Sequence, residues 1–162
     1  MAFPNNIIQV LDLWFKDQVD DDPDPKTKVK VFKRQLRPTD PNQCIGLVPR
    51  MWTPDQNSFE MGGPFYGATL QTYTVTVMCF VKDMDEVRGL NAHAKLSTIV
   101  RRILGYDQDL RLALGQLGIT IGGITERLQR WGVTGATYLN NEIDGQFNYL
   151  CNIETYFETE TG

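Results

Sequence analysis

Proline placement divides this sequence into two parts that differ in the regular structure they allow. Seven of the eight prolines lie between Pro23 and Pro64, and none follows Pro64. Proline lacks a backbone N–H and fixes φ, so it disrupts helix interiors and central strands. The strongest helix and strand patterns accordingly follow Pro64.

The segment 37–66 is predicted to form an extended arm or loop. It combines prolines with glycines, and Trp52 and Phe59 look exposed within it. A loop of this length is uncommon inside a compact domain unless it is functional or contains a strand, for which Gln43–Met51 is the candidate. We expect the arm to order against a partner.

Hydrophobic periodicity predicts one α+β domain spanning 1–162. Helical spacing of apolar residues predicts three helices. They are an N-terminal helix over about 6–18, a long helix over about 83–105 that is capped by Asp83, and a shorter helix over about 107–117. Alternation of apolar and polar residues predicts strands at 28–32, 71–81, 137–142 and after a turn at 144–145. The stretch 119–131 forms either one strand with a glycine bulge at 122–123 or a hairpin turning there. The expected fold is a single mixed, mostly antiparallel sheet covered by helices, with the proline-rich arm between early strands.

The charges of this chain are segregated along the sequence. Residues 1–25 hold six acids and one base, residues 26–50 hold seven bases and one acid, and residues 131–162 hold five acids and no base. The pattern describes either solvated faces or a protomer with one basic and one acidic surface, which suits head-to-tail association in a ring. The chain is not basic enough for a dedicated duplex-DNA binder.

No residue pattern predicts catalytic, cofactor-binding or metal-binding residues, so we expect no cofactor and no enzymatic activity. Three cysteines without C-x-x-C spacing argue against a disulfide framework or a zinc site and favour a reducing compartment. His93 and Ser97 lie one helical turn apart, but no nucleophile-elbow motif accompanies them, and we expect His93 on the helix surface. The glycine-bearing stretch 115–123 lacks the Lys-Ser/Thr of a phosphate-binding loop.

The sequence predicts neither a signal peptide nor a membrane span. The N-terminus has no basic region followed by an apolar segment. Residues 61–81 carry no charge, but proline, glycines and threonines make them a poor span. We therefore expect a soluble product of the cytoplasm.

The aromatic residues of the arm are difficult to place in one small core. They are Trp52, Phe59, Phe65 and Tyr66. They either pack the arm onto the body or anchor a neighbouring subunit, because aromatic residues are frequent interface hot spots. This pattern favours an interaction protein over an enzyme.

The order of these elements and their residue patterns resemble those of a known family. A threonine-rich strand ending in Asp83-x-x-Glu86, a long helix containing Ile99-Val100-Arg101-Arg102-Ile103-Leu104, and an alternating last strand ending at Phe157-Glu158 resemble the tail terminator, or tail completion, proteins of long-tailed bacteriophages. The similarity covers about 6–159. It implies an α+β protomer that forms a hexameric ring on the head-proximal end of the tail tube, ends tube polymerisation and joins the tail to the head.

The resemblance also implies partners and a location. The partners would be other copies of the chain, the tail tube protein and a head-completion or connector protein, in the neck region of the virion and in the host cytoplasm during assembly. The acidic early loop and the acidic C-terminal segment would face either the basic segment of a neighbour or the channel, and genomic DNA would pass through the lumen without specific binding. The candidate subunit or partner interface consists of Lys28, Lys30, Lys33, Arg34, Arg37, Arg50, Trp52, Phe59, Phe65, Tyr66, Glu154 and Glu158.

Three alternatives to a tail terminator stay open at this stage. A head-closure or other neck protein and the tail tube subunit could share this size and strand-rich texture. From a different class, a small ligand-binding or enzymatic α+β domain remains an option, which ligand-dependent thermal stabilisation would support.

Overall fold

The fold is described by a computed structural model covering residues 7–9, 11–13, 15–16, 29–37, 39–54, 69–106, 118–121 and 124–161. Residues 7–9, 11–13 and 15–16 are helical and form the N-terminal helical segment. The elements that follow are β1 (Lys30–Phe32), β2 (Gln43–Pro54), β3 (Thr69–Asp83), α1 (Glu86–Tyr106), β4 (Gly118–Ile121), β5 (Ile124–Ile143) and β6 (Gln146–Thr161). The predicted α+β class is confirmed.

All six strands of the described chain form one sheet in the order β1-β2-β3-β6-β5-β4. β1 runs parallel to β2, and every other neighbouring pair is antiparallel. The predicted single mixed, mostly antiparallel sheet is therefore confirmed.

The hydrophobic core lies between one face of the sheet and the helices. Alternate residues of β3 and β6 point to this covered face, as the period of two in the sequence predicts. The buried strand residues are Tyr73, Val75, Val77, Cys79, Val81, Tyr149, Cys151, Ile153, Thr155 and Phe157. The helices contribute Ile7, Leu11, Phe15, Leu96, Val100 and Leu104 to the same cluster. Burying a large apolar side chain contributes about 1.5–3 kcal/mol, so this layer holds the helices on the sheet.

The strand candidate Gln43–Met51 within the predicted arm is confirmed, because residues 43–54 form β2 inside the sheet, and the prediction of an extended arm is wrong for these residues. β2 pairs with β3 along its whole length, with a bulge between Pro49 and Met51. The prolines are tolerated because β1 pairs only with Cys44–Gly46, so Pro49 and Pro54 lie where β2 is the edge of the described sheet. Residues 55–66 of the predicted arm lie outside the described residues.

The helix cap differs by two residues from the prediction. The carboxylate of Asp85 accepts a hydrogen bond from the backbone N–H of Arg88 at 2.9 Å, which makes Asp85 the N-cap of α1. Asp83 instead accepts hydrogen bonds from the Arg88 guanidinium at 2.8 and 2.9 Å. This contact holds the pKa of Asp83 at about 2. The ion pair fixes the passage from β3 into α1.

The C-terminal half forms longer strands than the sequence predicts. Ile121 and Ile124 are the last partners in the antiparallel pairing of β4 with β5, so these are two strands and the hairpin alternative applies. β5 continues as one strand through two register shifts, between Leu128 and Arg130 and between Val133 and Gly135. The helix predicted over 107–117 lies outside the described residues.

Candidate assembly surface

The outer edge of β5 is the most exposed feature of the described sheet. β4 pairs with β5 only over Ile124–Arg127, and no described strand pairs with that edge between Leu128 and Ile143. Every side chain from 133 to 145 is exposed. An unpaired strand edge presents backbone N–H and C=O groups to another chain. The β5 edge is the side of β5 between Leu128 and Ile143 that pairs with no described strand.

The turn that ends β5 determines which backbone groups point outward. Asp144 and Gly145 have φ of 52° and 76°, which defines a two-residue type I′ turn and confirms the predicted Asp-Gly hairpin. Ile143 and Gln146 close this turn and exchange backbone hydrogen bonds. Because bonded and outward-pointing residues alternate along an antiparallel strand, four residues direct their N–H and C=O groups to the β5 edge. They are Ala136, Tyr138, Asn140 and Glu142.

The β5 edge lacks most devices that keep strand edges apart. Natural edges are protected by charges, prolines, bulges or a covering segment. The stretch 132–141 contains no charged residue and no proline. Tyr138, Leu139 and Ile143 are 48%, 55% and 57% exposed. The edge therefore carries apolar surface together with backbone groups able to pair.

The opposite edge of the sheet has a different character. Beyond β1, the edge of β2 carries Pro49, Pro54, a bulge and exposed Arg50. β1 and the loop after it expose Lys30, Lys33 and Arg37. One side of the sheet is thus basic, whereas the β5 side ends in exposed Glu142 and Asp144.

Arg34, another predicted interface residue, is held within its own loop. Its guanidinium donates to both carboxylate oxygens of Asp40, at 2.7 and 2.9 Å, and lies 4.3 Å from the centroid of the Phe32 ring. The Arg34 hydrogen bond holds the pKa of the buried Asp40 carboxyl at about 2. Arg34 therefore orders the loop after β1.

Arg50 and Glu154 are joined across the sheet by one threonine. The Nε of Arg50 donates to Thr76 Oγ1 at 3.0 Å, and that hydroxyl donates to Glu154 at 2.7 Å. These side chains lie on the face opposite the core. The structure thus brings together one basic and one acidic residue of the predicted interface within a single protomer.

Two further predicted interface residues also have partners in the same chain. Glu158 on β6 forms an ion pair with Arg130 on β5. Trp52 is 41% exposed, and its indole N–H donates to Gln71 at 2.6 Å. Lys28, Phe59, Phe65 and Tyr66 lie outside the described residues.

The prediction that His93 lies on the helix surface is wrong. His93 is 3% exposed, and its ring stacks on Tyr149 with 5.9 Å between centroids. Its Nε2 lies 3.2 Å from the carbonyl oxygen of Cys79, and burial lowers the pKa of the imidazole. Ser97 is also buried, and its hydroxyl donates to the Ala94 carbonyl at 3.3 Å. This face of α1 is buried because it lies against the sheet.

The described residues contain no group of three or more histidine, cysteine or acidic side chains able to hold a metal ion. Nor does any helix in those ranges have the length and apolar character needed to cross a membrane. All three cysteines are buried and unbridged.

Sequence reasoning did not select the residues of the β5 edge. Its signal was a stretch without charge or proline, 132–141, ahead of the strong Asp-Gly turn. The pattern predicted a short strand at 137–142, but strand alternation does not reveal whether a strand is central or at an edge.

The sequence matches no protein-family model and no curated protein. Among solved structures, a protein known only by a sequence identifier is similar to this chain at 10% identity. The similarity covers 92% of this chain and 94% of that one, with a TM-score of 0.40. A TM-score of this size supports no inference about function.

Proposed function

We propose that this chain is a structural protein of a long-tailed bacteriophage virion, a tail terminator whose copies form a ring at the head-proximal end of the tail tube. The ring ends tube polymerisation and joins the tail to the head. The observation that carries this proposal is the β5 edge, which offers pairing groups and apolar surface on one side of the sheet. A subunit of this kind is completed by a partner chain.

The two sides of the sheet support a ring rather than a two-fold dimer. The β5 side ends in Glu142 and Asp144, and the β1 side exposes Lys30, Lys33 and Arg37. The opposite charges of these residues attract each other, so charge favours head-to-tail contact. Repeated head-to-tail contacts close into a ring when the rotation between copies allows it.

A second exposed apolar patch fits contact with a different partner. Met84, Val87 and Leu90, at the start of α1, are 74%, 67% and 49% exposed. They follow the end of β3, which pairs with the start of β6 beside the 144–145 turn. The patch therefore lies at one end of the strands, where a stacked tube or connector ring would meet the terminator.

The acidic C-terminal segment, residues 131–162, supports the passage of DNA without binding. Residues 131–162 contain five acids and no base. Phosphate binding requires basic groups that release counterions, and acidic side chains repel the DNA backbone. DNA would then slide through the ring during packaging and ejection.

The proposal is tested by inactivating this gene in the source phage and measuring tail lengths in the lysate by electron microscopy. We expect overlong tubes that are not attached to full heads, and normal particles when the wild-type gene is supplied in trans. Tails of normal length would overturn the proposal. Normal tails beside leaking heads would indicate head closure instead.

The length of β5 and β6 also favours a second candidate, the tail tube subunit, because long hairpins suit a tube wall. The two candidates differ in how far they assemble. A tube subunit polymerises into tubes, alone or with a chaperone, whereas a terminator stops at one ring. Electron microscopy of the purified protein, alone and with tube subunits, separates them.

A further inference from the structure

We propose that the β5 edge binds the β1 side of a second copy of this chain by antiparallel strand addition. The incoming β1 pairs with the outward backbone groups of Tyr138, and the residues that flank β1, Val29 and Lys33, lie opposite Asn140 and Ala136. This inference rests on the proposed function, because it names the contact that closes the ring.

Strand direction supports this pairing. β2, β3, β6 and β5 alternate in direction across the sheet, so β2 runs opposite to β5, and β1 runs parallel to β2. A second copy placed beside β5 in the same orientation therefore brings its β1 antiparallel to β5. Antiparallel pairing is the more stable arrangement for a short strand.

The heights of the two strands in the sheet also match. Lys30 of β1 pairs with Cys44 of β2, which pairs with Phe80 of β3. Phe80 pairs with Leu150 of β6, which pairs with Leu139 of β5. Phe32 follows the same path to Thr137. β1 thus lies at the height of 137–139, inside the stretch of β5 that lacks charge and proline.

Charge complementarity selects the β1 side over a second β5 edge. Two β5 edges paired antiparallel over 136–142 would place Glu142 of each copy opposite uncharged residues near Ala136. The β1 side instead brings exposed Lys30 and Lys33. The opposite charges of the two sides therefore favour β1 as the partner.

The first test removes one outward donor. Asn140→Pro deletes a backbone N–H that points away from β6, so the β5–β6 ladder keeps its hydrogen bonds. Asn140→Thr loses the same amide side chain but keeps the N–H, which makes it the matched comparison. We expect Asn140→Pro to associate about five- to tenfold more weakly per contact than Asn140→Thr, since one hydrogen bond is lost.

Association is measured by native mass spectrometry of the purified variants and by rescue of tail length in the gene-inactivated phage. Circular dichroism confirms that both variants are folded. Equal association and equal rescue by the two folded variants would overturn the pairing. If purified copies stay monomeric, the rescue assay decides alone.

The second test joins the two strands covalently. Lys30 and Leu139 of one chain are separated by four strand spacings, about 19 Å, beyond the reach of a disulfide. A Lys30→Cys, Leu139→Cys double variant therefore crosslinks only between copies. We expect a ladder of covalent oligomers on a non-reducing gel, ending at the size of the ring. The single variants are the controls, because the native cysteines are buried.

Failure of this contact and failure of the proposed function give different results. If gene inactivation produces overlong tubes but Asn140→Pro rescues fully and no crosslinks form, the function stands and the pairing is wrong. If gene inactivation leaves tail length unchanged, the proposed function is wrong. Crosslinked oligomers would then still show that copies pair through β5 and β1.

Discussion

Replacing Gly89 with alanine should destabilise the protein, although glycine to alanine in a helix is usually stabilising. Gly89 is buried in α1, and a Cβ placed there would lie 2.9 Å from Tyr149 Cε2 and 3.0 Å from Asp83 Cβ. The ring of Tyr149 is held on two sides. Its hydroxyl donates to the carbonyl of Glu86 at 3.0 Å, and it stacks on His93.

The expected size follows from two opposing effects. Alanine favours a helix over glycine by about 0.8–1.0 kcal/mol. Overpacking a filled site costs about 1–3 kcal/mol, and a displaced tyrosine hydroxyl loses a hydrogen bond contributing about 1 kcal/mol. The net loss is about 1–3 kcal/mol, which lowers the melting temperature of a chain this size by roughly 2–12 °C.

Thermal unfolding followed by circular dichroism measures the effect. Asn91→Ala is the matched control, because Asn91 is exposed on the same helix and alanine there adds helix propensity without a clash. We expect Asn91→Ala to raise the melting temperature slightly and Gly89→Ala to lower it. A rise in both variants would refute the close packing of α1 on Tyr149.

Two further predictions concern titratable groups. The pKa of Asp40 is held at about 2 by Arg34, below the ordinary value of about 3.9, so its stabilisation is present above pH 4 and is lost as the pH falls toward 2. Urea unfolding at pH 7 and pH 2.5 should therefore show a smaller acid-induced loss for Asp40→Asn than for wild type; equal losses would contradict the assignment. Burial raises the pKa of Cys44 to about 12 and raises those of Cys79 and Cys151, so the thiols should react with a disulfide reagent only in denaturant. Rapid labelling of the folded protein would contradict their burial.

The elements that the sequence predicted well are those whose environment follows from local pattern. β6 alternates because one face packs on the helices, and the buried residues from Tyr149 to Phe157 occupy every second position of the predicted strand. The turn at Asp144 and Gly145 was equally clear, since positive φ at both positions favours these residue types. Such signals depend on neighbours along the chain.

β2 was only partly predicted because its sequence contains prolines, which are unfavourable in strands. Pro49 and Pro54 argue against a strand unless the strand is at an edge, and edge position depends on the whole topology. His93 was misplaced for a similar reason. As a polar residue on a helix, His93 was predicted to face solvent. The sheet instead covers the face of α1 that carries His93, and the Cys79 carbonyl lies at hydrogen-bond distance from the imidazole.

The sequence shows which charged residues the chain carries, but not which of them lie in contact in the folded protein. The segregation of charge along the chain was visible in sequence, yet Glu158 meets Arg130 only because β5 and β6 are paired. The exposed β5 edge likewise arises from the short reach of β4. Neither the pairing nor the reach is a property of a local sequence pattern.

The most direct test of the proposed function is a cryo-electron microscopy reconstruction of the junction between head and tail in virions that contain this chain. We expect a closed ring of copies of this chain on the last ring of the tail tube, with sheet density continuing from β5 of each copy into β1 of its neighbour. Absence of the chain from this junction, or its presence along the whole tube, would contradict the proposed function as a tail terminator.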